Sequence, residues 1–302
     1  AMMLFLTKLF LTQSQIEAGR FALQFKATSL VIVGVLISFA LQGYGLYSII
    51  FSTLFQLLNY WFIFSLFREF RGQQQAVSLL FVKSGLWLGQ LSTLAPWAIG
   101  VLSAKGLGES EAYRSAVYFF LHFQYNGWFQ FVALGLFFKW LETEAVQFDL
   151  KKARMFYVLF AVSVIPAYAL SLLGMSFSNY VIAPAAMAAI LQLVGLWLFF
   201  QALKIGSAAW FSLRSPWQQW FLLTAMASLG LKYVLQFLSV FPVYQEFAFA
   251  SRNIIMAYMH LCLLGVLTCF FIALMLHLKW LDESGFTKFG STFFLLGFFA
   301  TE

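Results

Sequence analysis

Two histidines stand inside strongly apolar stretches of this chain, His122 in YFFLHFQYNGWFQF and His260 in AYMHLCLLGVLTCFF. An ionisable side chain in hydrocarbon is costly, so such a residue is a functional-site candidate by default. Neutral imidazole is a common ligand for metal ions and haem iron. Two opposed histidines could clamp a haem iron or supply two ligands to copper. Their other reading is structural, each ring bonding a neighbouring helix. Lys232, in SLGLKYVLQFL, is a third ionisable group in an apolar setting. It could relay protons, hold an anionic group, or face a water pocket with its stem among apolar neighbours. His277, in LMLHLKWLDE, reads as interfacial.

Composition says what must position these residues. The chain has 302 residues, 62% hydrophobic and 10% charged, against about 25% charged in a soluble domain. That much apolar surface implies an integral membrane protein. Its continuous apolar runs have the length of spanning helices, about 20 residues, rather than the alternation of barrel strands. The expected fold is an all-α, polytopic transmembrane helix bundle forming a single domain over 1–302. Eight spans are expected at 28–50, 51–67, 77–102, 113–138, 155–173, 181–203, 217–240 and 252–278. Residues 1–27 read as an interfacial segment with an amphipathic helix over 3–25. The end, 279–302, includes an apolar stretch short for a span, a partial helix.

The net charge is +7, and the basic residues sit mainly in short loops, where they orient a membrane protein. With these spans, fourteen Lys and Arg fall on one side and three (Lys105, Arg114 and Arg252) on the other. The split places the N-terminus in the cytoplasm, in what we read as a bacterial inner membrane. The partner is therefore the lipid bilayer, and nucleic acid is not expected. Cys262 and Cys269 are seven positions apart on one helix, roughly 10 Å along its axis and too far for a disulfide.

His122 lies about 13 Å, His260 about 12 Å and Lys232 about 15 Å in from the outer ends of their helices, at 1.5 Å per residue. Helical spacing groups them with other polar residues. Ser115, Tyr118, His122 and Asn126 form one stripe. Thr224, Ser228, Lys232, Gln236 and Ser239 form a second, and Asn253, His260 and Thr268 a weaker third. Ser52, Gln56 and Asn59 align on the second span. Such stripes should face the bundle interior, since lipid offers no partners. The candidate cofactor site is thus His122, His260, Lys232, Asn126, Tyr118 and Gln236, with His122 and His260 as metal ligands. Trp61, Trp87, Trp97, Trp140, Trp210, Trp217 and Trp220 lie near helix ends and read as interfacial belts.

The segment HFQYNGWF resembles a reduced H-x-H metal-ligand helix. YMHLCLLG is similar to the H-L-x-x-L-G pattern of the late haem-ligating helix in heme-copper oxidase subunit I. Three helices separate the two histidines, as between the corresponding helices of that family. The resemblance covers roughly 80–300, though its specific content is these two short motifs. It implies a b-type haem or copper ion held by His122 and His260, with electron transfer or metal and haem handling as the role. It also implies respiratory-chain or other membrane subunits as partners. The sequence departs from the family in three ways. The helix MFYVLFAVSVIPAYALSLLG lacks an adjacent His-His pair, Leu261 and Cys262 follow His260 where a second His is usual, and two N-terminal helices have no counterpart. A full oxygen-reducing haem–copper centre does not follow. Whether any reaction is catalysed stays open. Two other classes remain: a proton, ion or small-molecule transporter, and a non-catalytic structural subunit of a membrane complex.

Overall fold

The computed structural model describes residues 2–43, 45–74 and 76–301. They form helices, with no strand among the described residues. Six helices are long and apolar enough to cross a membrane: Phe21–Gln42, Leu46–Glu69, Val77–Ala104, Ser178–Leu203, Pro216–Leu238 and Asn253–His277. A seventh arises if Leu150–Ser163 and Pro166–Leu172, bent by 52°, count as one span. Helix 111–143 is continuous, yet its middle, HFQYNGWFQ, is too polar to meet the same standard. Length and composition therefore support an all-α bundle with six or seven such helices rather than about eight.

The N-terminal boundaries differ from expectation. Met2–Phe10 is a helix whose Phe5 and Leu6 are buried. Phe5 stacks on Phe271 at 5.2 Å and on Trp280 at 5.1 Å. The segment docks on the bundle, so its apolar face meets protein. A capping box built by Thr12 and Gln15 starts Gln13–Ala18, and the first long helix begins at Phe21, not near 28. It ends at Gly43, whose φ of +59° suits a residue without Cβ. The next helix starts at Leu46. The two glycines of QGYG carried this boundary, and the continuous apolar run masked it. The late apolar stretch is a 17-residue helix, Gly285–Thr301. Phe294 in it meets Phe221 at 6.2 Å between ring centroids.

Phenylalanine fills the core. Phe81 touches the rings of Phe131, Phe138, Phe156 and Tyr157, tying three helices together. Small residues let backbones approach. A Cβ on Gly135 would fall 2.9 Å from the Ser78 carbonyl oxygen, so helices 77–104 and 111–143 meet there almost backbone to backbone. Two of the tryptophans read as belt residues are core: Trp140 and Trp210 are buried against each other at 5.0 Å. Trp87, Trp97 and Trp220 are exposed. The stripe Thr224, Ser228, Lys232 and Gln236 is buried. That of the second span is not, since Ser52 is exposed.

Candidate functional site

His122 is 3% exposed. Its Nε2 lies 2.8 Å from the Val164 carbonyl oxygen and its Nδ1 3.2 Å from Asn126 Nδ2. The local backbone explains the first contact. Pro166 has no N–H, and beyond it the chain tightens into a 3₁₀ segment, Pro166–Leu172. The Tyr168 N–H bonds the Ile165 carbonyl at 3.1 Å, an i+3 bond that leaves the Val164 carbonyl for His122. A carbonyl can only accept, so Nε2 donates. In the neutral ring Nδ1 then accepts from the Asn126 amide. Asn126 is left with its carbonyl Oδ1 turned away, and this atom has no hydrogen-bond partner.

His122 and His260 share one backbone feature. Each is the last residue before a π-helical segment, Phe123–Phe129 after the first and Leu261–Thr268 after the second. The two segments pack against one another. Such wide turns are rare and recur at functional sites, because an extra residue per turn re-aims side chains and loosens the i+4 ladder. Nothing in the apolar pattern announced them.

A cavity of about 550 Å³ opens beside this contact. Tyr118, His122, Tyr125 and Asn126 line it from one helix, Gln236 from a second, and Tyr258 and Cys262 from a third. The short helix Pro242–Ala250 closes one side with Phe247 and Phe249. Phe249 packs on Gly174, where a Cβ would meet its ring at 2.6 Å. Four expected site residues therefore share one cavity: His122, Asn126, Tyr118 and Gln236. Gln236 is 8% exposed, and its Oε1 has no partner.

Lys232 is not in the lining but sits close behind it. It is 1% exposed. Its Nζ donates to Gln130 Oε1 and to the Tyr233 hydroxyl, both at 3.3 Å, and lies 4.4 Å from the Tyr233 ring centroid. It is within electrostatic reach of His122 and Cys262. No carboxylate pairs with it among the described residues.

His260 is not among the residues that line the cavity. Its helix turns Tyr258 and Cys262 to that side, and His260 is about 200° round from Tyr258 at 3.6 residues per turn. The arrangement does not fit a haem or copper ion clamped between His122 and His260. Both His122 ring nitrogens are engaged by protein atoms, and the second histidine faces elsewhere. Nor do three or more His, Cys, Asp or Glu side chains gather into a metal-holding group among the described residues.

Sequence reasoning missed Gln130, Tyr233, Tyr258 and Cys262. Gln130 lies just past the π-helical segment Phe123–Phe129, so a constant 3.6-residue period gave no dependable face for it. Cys262 was weighed for a disulfide and as a departure from a second histidine, not as part of the site. At the opposite end of the bundle Glu144 gathers a second polar group. It accepts from Trp210 Nε1, from Arg214 Nη1 at 3.0 Å, and faces His277 Nδ1 at 3.5 Å. His277 stacks on Trp140 at 4.5 Å, so it is packed into the protein rather than simply interfacial.

No family model, curated protein or solved structure matches the chain.

Proposed function

We propose that this is a polytopic membrane protein that binds a small lipid-soluble molecule within the bilayer, as a carrier or transporter. The cavity between the Tyr118–Asn126, Gln236 and Tyr258–Cys262 faces carries this reading. Ligand sites are concave, mostly apolar, and have a few convergent polar groups, and this cavity has those properties. A bent helix at Val164–Pro166 beside it suits a transporter, whose sites form where helices are interrupted.

Helix 111–143 is the eighth span in this reading, its polar middle facing the cavity instead of lipid. The N-terminus is cytoplasmic and the membrane a bacterial inner membrane, on the charge asymmetry of the loops. Native mass spectrometry of protein extracted from its membrane tests the proposal. A bound small molecule should be seen on the wild type and lost from Ala257→Trp, which fills the cavity. Ligand-free wild type, together with equal thermal stability of the two proteins, would count against it.

The paired π-helical segments favour a second reading, the heme-copper-oxidase-like one. Here His122 and His260 would move together to hold haem or copper, with a respiratory membrane complex as partner. Its test is optical. Protein made with ample haem and copper should show a Soret band or stoichiometric copper, lost in His122→Ala plus His260→Ala. A colourless, metal-free product removes this reading and leaves the first untouched.

A further inference from the structure

The polar floor of the cavity selects a ligand class, on the premise that the cavity is a ligand site. Asn126 Oδ1 is an acceptor by construction: the Val164 carbonyl sets the His122 tautomer, and the tautomer sets the amide. A doubly protonated His122 would turn the amide round. It would also bury a second cation beside Lys232 with no carboxylate near either, which is costly. Gln236 Oε1 is a second acceptor without a partner, on a side chain more than nine-tenths buried. Tyr258 and Cys262 stand on the third wall. A ligand group that donates would meet the two acceptors of Asn126 and Gln236, and one that also accepts would meet the hydroxyls of Tyr118, Tyr125 and Ser171 in the same lining.

Charge narrows the choice. An ammonium head would meet Lys232 behind the floor, and no carboxylate lines the cavity to hold it. A carboxylate head would meet Asn126 Oδ1 with its lone pairs opposed. Much of the remaining lining, including Leu170, Leu231, Leu235 and Phe247, is hydrocarbon. We infer that the cavity takes a neutral, hydroxyl-bearing amphiphile, its hydroxyl donating to Asn126 Oδ1 and its hydrocarbon body lying among these apolar walls.

The probe is a long-chain primary alcohol carrying a diazirine, offered to the full chain in phosphatidylcholine nanodiscs and mapped by peptide mass spectrometry. Labelling should fall on the helices bearing Asn126 and Tyr258. Hexadecanol should suppress it at a concentration about tenfold lower than hexadecyl methyl ether, the ratio for one lost hydrogen bond of about 1.4 kcal/mol. Asn126→Leu and, separately, Gln236→Leu should shrink that ratio while labelling persists. Equal competition by the ether overturns the inference but keeps the cavity as a ligand site. Stronger competition by hexadecanoate or hexadecylamine overturns it in favour of a charged head. Failure of any probe to label these helices, joined to ligand-free protein by native mass spectrometry, overturns the ligand site itself.

Discussion

Lys232 is the residue whose chemistry is least explained by packing. A buried cation with only neutral partners is expensive, and a hydrophobic side chain of similar volume in its place is often neutral or stabilising. Lys232→Met should therefore leave thermal stability unchanged or raise it, by up to about 4 kcal/mol on that principle. Loss of ligand binding in the same variant would mark the lysine as retained for function. A fall in melting temperature would show instead that Gln130 and Tyr233 depend on it. His122 should behave in the opposite way. His122→Phe keeps the ring volume but strands the Val164 carbonyl and the Asn126 amide, a cost of about 1–3 kcal/mol for an unmet buried group. Chemical denaturation in detergent would read it. An unchanged midpoint would mean that the contact of Nε2 with Val164 contributes nothing. Both residues were visible in the sequence because charge is rare in apolar runs. Of the two partners of His122, Asn126 was visible in its stripe and Val164 was not, since a backbone carbonyl leaves no residue-type signature.

At the scale of elements, the breaks matter more than the helices. The spans follow from apolar length, and most were legible at their middles. Their interruptions were not. Pro166 was readable as a possible kink, but the two π-helical segments arise in ordinary-looking sequence, FQYNGWF and LCLLGVLT. Helical periodicity assumes a constant 3.6 residues per turn, so it misassigns faces beyond such a segment. That is one reason His260 and Thr268 made a poor stripe. Trp140 and Trp210 escaped for a different reason. Nearness to a helix end suggested an interface, whereas Glu144 and Arg214 draw them inward. Close packing is the part of element structure most open to test. Gly135→Val would push a side chain into Val82 and the Ser78 carbonyl, and overpacking of this kind costs about 1–3 kcal/mol. Gly230→Val makes the matched control, because a Cβ there meets nothing within 4 Å. A lower melting temperature for the first alone is expected. Equal effects would mean that helices 77–104 and 111–143 do not meet at Gly135.

For the whole molecule, the cavity and the orientation are linked through the polar helix 111–143. A helix with a middle this polar enters a bilayer only if its polar face is covered by protein or lines a cavity. The structure supplies that cover, since His122, Asn126 and Gln130 meet Val164, the cavity and Lys232. If this helix crosses, the loops on either side of it lie on opposite faces of the membrane. On the proposed orientation Lys105, before it, is outside and Lys151, after it, inside, which puts the side richer in basic residues in the cytoplasm. If it does not cross, both lie on the same face and every later loop changes sides. In a background with Cys262 and Cys269 replaced by Ser, a membrane-impermeant maleimide added to intact cells should label Lys105→Cys and not Lys151→Cys. Opening the cells should make the second reactive. Labelling of both from outside, or of neither, would remove helix 111–143 as a span. It would also set the His122 face beyond the bilayer, where an intramembrane ligand could not reach it.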